Sequence, residues 1–119
     1  MSKKILICDD EEGIRESLKL ILGDYYNLII TTDGLQCLDC LKNADDIGLT
    51  MLDIKMPKVN GLDILKQIKK LNPSLPVIIV TGYKSVETAT EAVRLGASGY
   101  IVKPFKSEEI LATVKTLMK

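Results

Sequence analysis

The chain has 119 residues, 46% of them hydrophobic, which is enough for one domain that buries about two-thirds of the surface its unfolded form exposes. Sixteen basic residues balance sixteen acidic ones, so no global field draws the protein to nucleic acid or to an anionic membrane, and recognition has to be local. The apolar run before the first acids is only four residues long, 5–8, and no later run reaches membrane-spanning length; the expectation is a cytoplasmic protein that touches neither membrane nor nucleic acid directly.

Short apolar runs at residues 5–8, 28–31, 49–52, 77–80 and 100–102 read as five strands. Between them apolar residues recur at helical spacing: Ile14, Leu18, Ile21 and Leu22; Leu38 and Leu41; Ile64, Leu65, Ile68 and Leu71; Ala89, Ala92 and Val93; Ile110, Leu111, Val114 and Leu117. Ser85 and Ser107 stand where helix N-caps belong, and Glu108 and Glu109 complement the first turn of the last helix. With Gly34, Gly61 and Gly96 at joints and no linker or repeat, residues 1–119 form one α/β domain, a (βα)₅ series with a parallel sheet covered on both faces.

The three cysteines are an odd number with no secretory signal, which argues against a disulfide framework. Cys37 and Cys40 make a Cys-x-x-Cys inside a helical pattern. With no histidine in the chain and Cys8 as the remaining thiol, a four-ligand zinc site cannot be assembled. Cys37 is expected to pack beside Leu38 and Leu41, and Cys40 to face solvent.

The stretch "TMLDIKMPKVNG" runs from an apolar strand straight into Asp53. A carboxylate there needs a partner, because burying an unpaired charge costs several kcal/mol. In open parallel sheets, ligands bind outside the carboxyl ends of the strands. Those ends carry Asp9 and Asp10, Asp53, Thr81 and Lys103. Each alone has an ordinary explanation: a helix cap, a β-branched strand residue, a solvated lysine. Together, three crowded carboxylates repel one another and call for a cation. Hard oxygen ligands in an open cluster suit a Mg2+-type ion that keeps waters for a phosphate to replace.

Four segments, "ILICDDEEGIR", "MLDIKMPKVNGLDIL", "PVIIVTGY" and "GASGYIVKPF", resemble the receiver domains of two-component response regulators, in order and spacing along essentially the whole chain. The resemblance implies a flavodoxin-like doubly wound sheet with strand order 2-1-3-4-5. It makes Asp53 the phosphoacceptor, fed by a histidine kinase or a histidine phosphotransfer protein. Mg2+ would be bound by Asp53, by Asp10, by Asp9 through water and by the Lys55 backbone carbonyl, while Thr81 and Lys103 would meet the phosphoryl oxygens. It further implies a cis bond before Pro104, and a switch in which Thr81 and Tyr100 reshape the face of helix four, strand five and helix five toward a downstream protein or fused output domain. Pro57 biases Met56 toward an extended conformation in the loop that carries Lys55.

Positions vary within such families. Cys8 stands in strand one where an aliphatic residue is more usual. Lys55 and Tyr83 would flank the acyl phosphate beside Gly82, and neither offers a carboxylate or carboxamide to orient a hydrolytic water; a long-lived phosphoryl group follows. Phosphatases of the haloacid dehalogenase kind also use a strand-end aspartate, but carry a second one two residues on, where this chain has Lys55. A flavodoxin-like cofactor binder should offer hydroxyls and amides in its first loop, where "DDEEG" offers repulsion. A receiver acting by docking alone would not need all five site residues.

Overall fold

The computed structural model describes residues 3–57 and 59–118. Ten elements alternate without exception: β1 (Lys4–Cys8), α1 (Glu12–Leu22), β2 (Asn27–Thr31), α2 (Gly34–Asn43), β3 (Ile47–Leu52), α3 (Gly61–Leu71), β4 (Val77–Thr81), α4 (Val86–Arg94), β5 (Gly99–Val102) and α5 (Ser107–Leu117). The strands form one sheet in the order β2-β1-β3-β4-β5, and every neighbouring pair is parallel. The chain steps from β1 outward to β2, then back past β1 to β3. The order therefore reverses at β1 and β3, and a crevice opens at their carboxyl ends.

Side chains along each strand alternate between two cores. Ile5, Ile7, Leu49, Met51, Ile78, Val80 and Ile101 pack with Leu18 and Leu22 of α1 and Ile110 and Val114 of α5. Leu6, Cys8, Leu52 and Ile79 face the other way, onto Cys37 and Leu38 of α2, Ile64, Leu65 and Ile68 of α3 and Ala92 of α4. Covered on both faces, β1 and β4 need continuous apolar runs, whereas the edge strands β2 and β5 are only partly buried. The α4 helix buries Ala92 alone and leaves Val86 and Val93 exposed.

Local chemistry sets most element ends. Asp33, Asn60 and Ser85 each cap a helix by accepting a backbone N–H. At α5 the expectation fails by one residue: Lys106 is the cap residue, without a side-chain bond, and Ser107 is the first helical residue. Phe105 and Ile110 lie in one apolar cluster, at the N′ and N4 spacing of a hydrophobic staple, and packing rather than a hydroxyl sets where this helix starts. Cys40 also departs from expectation. It is half-buried against the α2–α3 core, because residues three apart on a helix share much of one face with the fully buried Cys37. Hydrogen bonding to Cys8, together with burial, pushes the Cys37 thiol well above its ordinary range, so it is a poor nucleophile.

Candidate functional site

The parallel register levels the strand ends. Cys8 pairs with Leu52, so Asp9 and Asp53 emerge side by side, and the Asp53 N–H donates to the Cys8 carbonyl at 3.0 Å. Thr81 pairs with Val102, so Lys103 leaves β5 beside the end of β4, its N–H donating to the Thr81 carbonyl at 2.8 Å. Asp9, Asp53 and Thr81 are no more than 2% exposed. At that depth each polar atom needs a partner, and the partners define what the crevice can do.

Lys103 is the hub. Its Nζ lies 2.9 Å from Asp9 Oδ2, 2.9 Å from Asp53 Oδ2 and 2.7 Å from Glu11 Oε1, and it donates hydrogen bonds to Asp53 and Glu11. The second oxygens are held by backbone: Asp9 Oδ1 accepts the Glu11 N–H at 2.9 Å, and Asp53 Oδ1 accepts the Lys55 N–H at 2.8 Å. Arg15 Nη1 donates to the Asp9 carbonyl at 3.0 Å, which fastens the first turn of α1 to the loop. Burial pushes the Asp9 carboxyl above its usual value, against the opposing pull of the Glu11 amide and Lys103. Burial would lower Lys103, but its contacts with the carboxylates of Glu11, Asp53 and Asp9 outweigh it and hold the ammonium above its ordinary range.

One carboxylate oxygen from each of Asp9, Asp10, Glu11 and Asp53 lies within 4.8 Å of the others, a hard-oxygen donor set of the kind a Mg2+-type ion takes. Thr81 Oγ1 is fully buried at the same edge and has no hydrogen-bond partner among the described residues. An orphan hydroxyl there costs about 1–3 kcal/mol, and an oxygen arriving in the crevice would satisfy it. The residues present therefore fit a divalent cation together with a phosphoryl group.

At the mouth, Lys55 Nζ stands 5.3 Å from the centre of the Tyr83 ring, within cation–π range. The Tyr100 hydroxyl donates to the Tyr83 carbonyl at 3.0 Å, while its ring packs against the α2–α3 core. Burial, with Asp53 and Tyr83 nearby, raises the Tyr100 phenol above its usual value. The Lys103–Pro104 bond is cis.

A model of the response regulator receiver domain matches residues 5–115. The chain belongs to that family. As a receiver domain it has the fold and phosphoacceptor signalling role of two-component response regulators. The response regulator MprA of Mycobacterium tuberculosis H37Rv is 33% identical over 120 residues, covering 100% of this chain and 52% of the relative; the chain thus spans about half the length of the curated relatives it matches. Among solved structures, a CheY-like receiver domain protein from Methanospirillum hungatei JF-1 superposes with a TM-score of 0.91 at 34% identity, covering 98% of this chain and 93% of that one. The receiver domain of NtrX from Brucella abortus gives a TM-score of 0.88 at 33% identity, covering 97% and 98%.

The receiver's crevice brings together Asp9, Asp10 and Asp53 with Lys103, and Thr81 ends its strand at the same edge. Lys55 enters through its amide and, with Tyr83 and Tyr100, forms a second group at the rim. No helix of the described chain is long and apolar enough to cross a membrane. Glu11 was missed: a third consecutive acid after Asp9 and Asp10 reads as a solvated loop residue, and its tie to Lys103 spans 92 residues of sequence.

Proposed function

We propose that Asp53 takes a phosphoryl group from the phosphohistidine of a kinase or phosphotransfer protein, or from a small acyl phosphate, in a step that the receiver itself assists. The observation that carries this reading is the buried Asp53 carboxylate, held by Lys103 and the Lys55 amide beside the unpartnered Thr81 hydroxyl. Asp9, Asp10, Asp53 and the Lys55 carbonyl are the residues that would hold Mg2+, which neutralises charge on the phosphoryl oxygens when bound. An Asp53 oxygen attacks phosphorus, and the new P–O bond replaces either the P–N bond of a phosphohistidine, from which the imidazole departs, or the P–O bond of an acyl phosphate, from which the carboxylate departs. Lys103 and Thr81 then donate to phosphoryl oxygens.

The product carries about −1.5 to −2 charge at a site that was a single carboxylate. Thr81 gains a reason to move inward, Tyr100 follows, and the thinly buried α4 with β5 and α5 presents a new face to a downstream protein or fused output domain. Three free thiols suit a reducing, cytoplasmic setting. Intact-mass measurement after incubation with acetyl phosphate tests the assignment. A single phosphoryl adduct is expected in Mg2+ and none in Asp53→Asn; an adduct that survives Asp53→Asn, or forms equally in excess chelator, overturns it.

A further inference from the structure

Each buried carboxylate of the crevice has one oxygen fixed by a backbone N–H, Asp9 Oδ1 by Glu11 and Asp53 Oδ1 by Lys55. The other two oxygens, Asp9 Oδ2 and Asp53 Oδ2, both point at Lys103 Nζ. A divalent cation entering between these aspartates therefore competes with the ammonium for the same two atoms. Lys103 then has to give up two of its three partners in a place where its side chain is only 10% exposed, and a buried cation stripped of partners is costly. The third partner is Glu11, whose side chain is 58% exposed and whose Oε1 makes the shortest of the three contacts.

We propose that Glu11 is a positioning residue, which receives Lys103 when a divalent cation occupies the Asp9 and Asp53 oxygens and keeps the ammonium at the mouth of the crevice, ready for phosphoryl oxygens. This rests on the phosphoacceptor reading above. Glu11 acts through Lys103 and not as a ligand of the ion: its carboxylate is largely exposed and makes the shortest contact to the ammonium, while Asp9, Asp10 and Asp53 already offer the ion one oxygen each. Removing Glu11 makes displacement of Lys103 harder, so cation affinity falls.

The test is a double-mutant cycle on Mg2+ affinity. MgCl2 is titrated calorimetrically, at one ionic strength, into wild type, Glu11→Gln, Lys103→Met and the double variant, each checked for native amide spectra. Glu11→Gln should weaken Mg2+ binding by about threefold to tenfold in the wild-type background, as coupled contacting groups do, and by less than about twofold once Lys103 is absent. An equal loss in both backgrounds would make Glu11 a ligand or a bulk charge and overturn the proposal, as would no loss in either. If Lys103→Met fails to fold, the Lys103 Nζ signal in ¹⁵N spectra of Mg2+-saturated protein decides: it should stay protected from exchange in wild type and lose protection in Glu11→Gln, and equal protection in both refutes the role. Wild type that binds no Mg2+ would count against the phosphoacceptor reading, not against Glu11 alone.

Discussion

The Tyr100 hydroxyl bonds to the Tyr83 carbonyl at 3.0 Å, which ties β5 to the loop between β4 and α4. That loop begins right after Thr81, so any inward shift of Thr81 pulls on the atom that holds Tyr100. We expect loading with beryllofluoride to break this bond and to move amide shifts across residues 85–119. Shifts confined to the crevice residues would rule out the switch.

The same hydroxyl makes a pH prediction. Burial first, then Asp53 and Tyr83, raise the Tyr100 phenol above its ordinary value near 10. With the folded value above the unfolded one, the stabilisation it contributes is complete below about pH 10 and is lost as pH rises through the raised value. A phenolate absorbance titration should show a late component that Tyr100→Phe removes. An unchanged titration would remove the tether from consideration.

Lys55 and Tyr83 are proposed to guard the acyl phosphate, and the lysine stands 5.3 Å from the ring centre. An exposed cation–π pair contributes about 0.5–1 kcal/mol. Disrupting it should speed phosphate loss by about two- to fivefold, through easier entry of an in-line water. Decay of phosphorylated protein, compared among wild type, Lys55→Asn, Tyr83→Glu and the double variant in one Mg2+ buffer, measures this. Equal or slower decay in all three variants would show that neither residue restrains the water.

Two fully buried threonines, Thr50 and Thr81, have hydroxyls without partners among the described residues. Substituting valine for either should raise the stability of the unphosphorylated protein by about 1 kcal/mol, since an unsatisfied hydroxyl is replaced by a methyl of similar shape. The two should differ after phosphorylation. Thr50→Val, in mid-strand, should retain the spectral response, and Thr81→Val should lose most of it. Chemical denaturation and amide spectra report the two halves separately, and identical behaviour of the pair would show that Thr81 is only a core residue.

Gly61 opens α3, and a Cβ there would overlap Ile54 Cα and lie 2.6 Å from the Ile54 carbonyl oxygen. Both are backbone atoms directly after Asp53, so relief requires the loop to move. Gly61→Ala should cost about 1–3 kcal/mol in denaturation and slow phosphorylation by acetyl phosphate. A variant as stable and as reactive as wild type would mean that the loop tolerates the shift.

Much of this was legible in the chain itself. Apolar runs of three or four residues alternating with helical periods specify five strands and five helices, because burial on two faces demands the first pattern and burial on one demands the second. Asp9, Asp10, Asp53, Thr81 and Lys103 are visible because polar residues at the ends of buried strands are out of keeping with their surroundings. Their roles, and the strand order, came from resemblance to a family, since periodicity reports which faces are buried and is silent about which strands are neighbours. Tertiary structure alone decided who pairs with whom. Lys103 meets Glu11 as well as the two buried aspartates, the Tyr100 hydroxyl finds a carbonyl 17 residues away, and Lys106 rather than Ser107 caps α5. Each outcome depends on side chains brought together by sheet register and helix packing, and pairing energies between residues far apart in sequence leave no local pattern to read.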